Sequence, residues 1–108
     1  MTELPRSSKQ LAQLLWRCLH RELSTGTIRA GESGIAVQQP QFTASKREYV
    51  IYVVHYAPDT KWLGRSVVEW RAAMDIDSKM QVRVRHGKDV PANIVDRMLL
   101  IAAGACEV

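Results

Sequence analysis

The sequence predicts an α+β two-layer sandwich, a four-stranded antiparallel sheet flanked by an N-terminal and a C-terminal helix in the order α-β-β-β-β-α. Three observations carry this expectation. First, Val68, Trp70, Ala72, Met74 and Ile76 alternate with polar or small residues, and Met80, Val82, Val84 and His86 repeat the pattern. Period-two runs put one side-chain set on each face of a strand, so the pair reads as a β-hairpin turning through Asp77, Ser78 and Lys79. Second, Glu48 to Tyr56, EYVIYVVHY, is dense in β-branched and aromatic residues on both faces, as suits a central strand. Third, apolar residues at helical spacing bracket the strands near both ends of the chain.

The first helix runs from about Lys9 to about Leu23. Leu11, Leu14, Leu15, Cys18, Leu19 and Leu23 share one face, Ser7 or Ser8 caps its start, and Gly26 stops it. Lys9, Gln10, Gln13, Arg17, His20 and Arg21 form the solvated face, with Trp16 on the margin. The glycine-rich segment from Ser24 to Gly34 reads as a loop. Ile35 to Phe42 follows as an edge strand, because the missing N–H of Pro40 suits an edge or a bulge. Ala44 to Arg47 then turns into the central strand. That strand buries either Tyr49, Ile51, Val53 and His55 or Val50, Tyr52, Val54 and Tyr56; the pattern fits both. Ala57 to Arg65 is a loop opened by Pro58 and Asp59, and the hairpin spans about Ser66 to His86. Asp89 is the expected N-cap of the second helix, with Pro91 in its first turn. Ile94, Val95, Met98, Leu99 and Ala102 form its buried stripe.

The 108 residues fit a single α+β domain, 1–108, with one core. With 46% hydrophobic and 24% charged residues, the composition is that of a folded chain and not of a disordered one. No stretch approaches the roughly 20 apolar residues of a membrane-spanning helix. The first five residues, MTELP, also lack the basic flank and apolar core of a signal peptide. The expectation is therefore a cytoplasmic protein without a membrane partner. Cys18 and Cys106 lie near opposite ends and outside any ligand spacing, so they are expected to be reduced thiols, with an end-to-end disulfide as the alternative.

The net charge of +4 is concentrated locally. From Lys79 to Lys88 the sequence has four cations and no anion. A hairpin with Ile76 opposite Met80 places Arg71 directly across from Arg85 and Ala73 across from Arg83. Arg71, Arg83 and Arg85, with Lys79 and Lys88 at the ends, then form a basic strip on one sheet face. Such a strip suits an anionic partner, and Tyr52 or Tyr56 on the adjacent strand can stack on bases. The plainer alternative has arginine stems covering the sheet while their heads stay solvated, with Glu69 and Asp75 as counter-charges. Trp62, flanked by Lys61 and Arg65, is a second candidate anchor, because tryptophan and arginine are enriched at interface hot spots. Leu100 and Ile101 suit either a homodimer patch or a contact with the first helix, and the helix contact is the expected one.

Catalytic signatures are sparse. His20, His55 and His86 lack metal-ligand spacing, and Asp75 to Ser78 reads as turn chemistry. Gly26, Gly31 and Gly34 are followed by no Lys-Ser/Thr pair, and Gly31-Glu32-Ser33-Gly34 departs from the nucleophile-elbow spacing. An enzymatic reading rests only on His55 and His86 lying near Asp75 or Glu69. The expected function is that of a small non-enzymatic interaction or accessory protein with no cofactor and no metal. It docks a macromolecular partner through the basic sheet face and the Trp62 loop. The alternative is a nucleic-acid-binding protein that uses the same arginines.

Overall fold

A computed structural model describes residues 4–59, 64–104 and 106. The elements are α1 (Ser8–Leu23), β1 (Gly34–Val37), β2 (Gln41–Thr43), β3 (Glu48–Pro58), β4 (Ser66–Ile76), β5 (Val82–His86) and α2 (Ala92–Ala102). The α+β sandwich expected from the sequence is present, with both helices at the ends of the element order. The expected first strand is split into β1 and β2, with Pro40 between them. Both pieces pair antiparallel with β3, β1 along Val53 to Tyr56 and β2 along Glu48 to Val50. The order across the sheet is β1-β3-β4-β5, with β2 also on β3.

One face of β3 and β4 belongs to the helices. Ile51, Val53, Trp70, Ala72, Met74 and Ile76 join Leu15, Cys18 and Leu19 of α1 and Ile94, Met98 and Ile101 of α2 in one buried cluster. This settles the face of the central strand: Tyr49, Ile51, Val53 and His55 point toward the helices. Val50, Tyr52, Val54 and Tyr56 take the other face, which no helix of the described residues covers.

Local chemistry explains the element ends. The Ser7 side chain accepts from the Gln10 backbone N–H, which caps α1, and Trp16 Nε1 donates to the Val37 carbonyl and ties α1 to β1. The N-cap of α2 is Pro91, not Asp89, and it makes no side-chain cap bond. Its buried residues Ile94, Met98 and Ile101 follow an i, i+4, i+7 stripe. Leu99 falls five positions after Ile94, well off that stripe, and is exposed together with Leu100. Ile101 therefore belongs to the core, and only Leu100 of the expected flank faces outward.

The hairpin register differs from the expected one by two residues. Ile76 pairs with Val82, Met74 with Val84, Ala73 with Arg85 and Asp75 with Arg83. The cause is a longer turn. Asp77 Oδ1 accepts from the backbone N–H groups of Lys79 and Gln81, each at 2.9 Å, and the Met80 N–H donates to the Asp77 carbonyl. Met80, with φ 64°, is thus a left-handed turn residue and not part of β5. A two-residue shift leaves every side chain on its expected face, but it takes Arg71 away from Arg85 and puts an aspartate among the arginines.

The cysteines are joined, not free. Cys18, fully buried on α1, forms a disulfide with Cys106 beyond α2, across a separation of 88 residues. The sequence separation hid this pair, and the packing of α1 beside α2 brings it together. Closing a chain segment of this length restricts the unfolded state by roughly 4.6 kcal/mol in the chain-entropy description. Protein purified without reductant is expected to show no alkylatable thiol under denaturing conditions. Cys106→Ser is expected to lower unfolding free energy by about 2–4 kcal/mol, measured by urea titration. Two thiols titrating in the non-reduced, denatured protein would contradict the pairing.

Candidate functional site

The sheet face without helices holds the charged cluster. Asp75 is only 3% exposed, although it lies on that open face. Arg85 grips it as a fork, with Nε on Oδ2 and Nη2 on Oδ1 at 2.9 Å, and Arg83 Nη2 adds a bond to Oδ2 at 3.2 Å. Arg83 sits directly across from Asp75 and Arg85 diagonally, so the corrected register is what makes this geometry reachable. Burial by itself pushes the Asp75 carboxyl up. The hydrogen bonds from Arg85 and then Arg83, with their charges, outweigh that and hold it below its ordinary value of 3.8. The same contact with Asp75 raises Arg85.

Arg71 lies on the same face, opposite Val54, with its guanidinium 5.4 Å from the centre of the Tyr52 ring. Val50, Val54 and Ala73 are buried here without any helix. By register, the neighbours of Val54 on this face are Arg71, Ala36, Tyr52 and Tyr56, so a layer of arginine stems and tyrosine rings closes the sheet. Taken together, Arg71, Arg83 and Arg85 against Asp75 leave a net charge of +2, carried on side chains that are fixed in place. Lys79 in the hairpin turn and Lys88 after β5 are exposed at the two ends of β5, as expected.

The second expected anchor is dispersed. Lys61 and Trp62 lie outside the described residues. Arg65 is exposed just before β4, at the far end of the face from the Asp75 cluster. Six residues of strand, about 20 Å, separate it from Arg71. It lines an open pocket of about 470 Å³ with Arg29 and Tyr56. Sequence reasoning passed over Arg29 because it falls in a glycine-rich loop with no pattern of its own.

A further cluster sits at a bulge. The pairing of β3 with β4 skips Glu69, so His55 faces Trp70 and Tyr56 faces Val68. His55 stacks on Trp70 at 5.4 Å. Its Nε2 is 3.4 Å from Ser33 Oγ, and its buried Nδ1 is 2.8 Å from Glu69 Oε2. Hydroxyl, imidazole and carboxylate in that order resemble a nucleophile–base–orienter relay. The contact at Nδ1, however, is a close approach and not an aligned hydrogen bond. His86 takes no part; its Nδ1 contacts the carbonyl of Gly87. Asp75 is committed to the arginines. Among the described residues, no group of three or more His, Cys, Asp or Glu is placed to hold a metal ion.

The chain matches no protein-family profile, no curated protein and no solved structure. Its functional reading therefore rests on this geometry.

Stability should register the Asp75 cluster. A lowered carboxyl contributes stability that is fully present above the unfolded value and lost as pH falls through the folded one. Asp75→Asn is expected to cost about 1–3 kcal/mol at neutral pH, less than a sealed pair because the Arg85 side chain is about half exposed and that of Arg83 more so. The gap from the natural chain should narrow as pH drops below about 4. Urea unfolding of both proteins across pH 2.5 to 7 checks this, and a gap independent of pH would contradict it.

Proposed function

We propose that this chain is a non-enzymatic interaction protein that docks a macromolecular partner through its outer, arginine-bearing sheet face. The observation that carries the reading is the buried Asp75 beneath Arg85 and Arg83. Arginines held in place lose little side-chain entropy on binding, and that favours their use as interface anchors. The absence of helices on this side leaves the face open to a partner. No helix of the described residues is long and apolar enough to cross a membrane. The cytoplasmic location expected from the sequence stays part of this proposal, and the Cys18–Cys106 pair weighs against it, because structural disulfides persist in oxidising compartments.

A specific observation favours nucleic acid as a second reading. Tyr52 and Tyr56 lie on this same face of β3, Tyr52 beside Arg71 and Tyr56 in one pocket with Arg29 and Arg65. Aromatic rings interleaved with arginines that have no ion-pair partner among the described residues suit the bases and phosphates of a single strand.

Capture from lysate with the natural chain and with Arg71→Glu, each with and without nuclease, separates the readings. A species lost on Arg71→Glu but retained after nuclease supports protein docking. One lost to both, with oligonucleotide binding that weakens steeply as salt rises, supports nucleic acid. Capture unaffected by Arg71→Glu contradicts both. The non-enzymatic reading has its own check: a fluorophosphonate probe is expected to leave Ser33 unmodified. Stoichiometric labelling of Ser33 that disappears in His55→Gln would overturn it.

A further inference from the structure

The pocket lined by Arg29, Arg65, Tyr56, Ile28, Ala36 and Ser66 is built from two loops that the fold ties together. Thr25 anchors the first loop to β1, accepting from the Ile35 N–H at 2.8 Å through Oγ1 and donating its own N–H to the Ile35 carbonyl at 3.1 Å. Ser66 anchors the other end. Its Oγ accepts from the Gly31 N–H at 2.9 Å and donates to the Glu32 carbonyl at 3.0 Å. Gly31, at φ +86°, approaches the backbone of Gly64 so closely that a Cβ there would sit 3.3 Å from the Gly64 Cα. Gly34 lacks a Cβ where one would collide with Ile28 and Thr25, which lets the arch of residues 26–30 settle onto the sheet. The rim is therefore fixed without a ligand, which lowers the cost of binding one.

We propose that this pocket binds a phosphomonoester carried on a planar ring, the chemistry of a nucleoside monophosphate. Arg29 and Arg65 both line it, and among the described residues neither side chain has an ion-pair partner. Among the described residues the lining contains no acid. Two arginine forks match a group that carries nearly two negative charges at neutral pH and several acceptor oxygens. A carboxylate would satisfy only half of that charge. Tyr56, with Ile28 and Ala36, supplies an aromatic and aliphatic wall for a ring. The volume of about 470 Å³ falls in the range of small-molecule sites and far exceeds what an inorganic anion fills. This site stands apart from the Asp75 cluster, so the inference does not depend on the protein-docking role; it shares Tyr56, Arg29 and Arg65 with the nucleic-acid reading but does not require Arg71, the residue on which that reading is tested.

Titration calorimetry with AMP, UMP and inorganic phosphate tests it on the intact chain. AMP or UMP is expected to saturate below about 1 mM, with inorganic phosphate at least about tenfold weaker. Arg29→Ala and Arg65→Ala should each weaken the nucleotide about fivefold to tenfold, and Tyr56→Leu should erase most of its advantage over phosphate. Arg17→Ala on the solvated face of α1, which removes the same charge, should leave the affinity unchanged. Thermal unfolding of each variant confirms that it folds; where an alanine variant does not, Arg29→Lys or Arg65→Lys replaces it, and loss of the fork should still weaken the nucleotide. No saturable binding of either nucleotide up to about 10 mM overturns the proposal. So does an affinity that Arg29→Ala and Arg65→Ala leave intact, or that Arg17→Ala lowers equally.

Discussion

A carboxylate almost sealed from water on an otherwise open sheet face is the constraint from which the outer surface follows. An unpaired ion in that position costs several kcal/mol, so Asp75 is tolerated only with cations on it. The Arg85 fork and Arg83 provide them. In return, Asp75 relieves the repulsion of two arginines standing two residues apart on one strand face. Held down in this way, the guanidiniums contribute to the layer that keeps water from the outer side of β3 and β4, a task that falls to α1 and α2 on the inner side. The two faces of one sheet are closed by different chemistry: the helices cover the inner one, and among the described residues no helix covers the outer one.

The ends of the sheet matter as much as its faces. At the hairpin, Asp77 gathers backbone donors and lengthens the turn, and that turn sets the register which delivers Asp75 to Arg83. At the opposite end, the bulge at Glu69 swings its carboxylate to His55, while Ser66 pins the loop that carries Arg29. Each candidate site thus depends on a backbone irregularity next to a regular strand. The disulfide joins the helix layer from its first element to the chain beyond its last, independently of these sites.

Much of this was legible in the sequence. Alternation in β4 and β5 and the composition of β3 marked the sheet, and the apolar spacing of Leu15, Cys18 and Leu19 marked α1, because burial on one side leaves a periodic trace. Pro40 marked an edge, but the single strand expected over Ile35 to Phe42 is broken there into β1 and β2. Turn geometry leaves no such trace: the roles of Asp77 and Met80 depend on which backbone groups one side chain reaches, so the register was two residues off and Arg71 was wrongly paired with Arg85. The faces survived that error, because a shift of two preserves them, and Asp75 could be named as a counter-charge. Contacts between distant segments were least legible. Cys18 with Cys106, Ser33 with His55 and Arg29 with Arg65 are each brought together by the folded chain and by nothing in their local sequence.

The most direct measurement is a carboxyl-resolved NMR titration that follows the Asp75 side-chain carbon, together with the Arg85 Nε proton. If Asp75 organises the outer face, its carboxyl will titrate below the ordinary aspartate range, and the Arg85 Nε–H signal will remain sharp until that group protonates. An Asp75 that titrates with the exposed aspartates, with the Arg85 Nε–H exchanging freely at neutral pH, would mean that the arginines stand loose in water, and the account of a preformed docking face would fail.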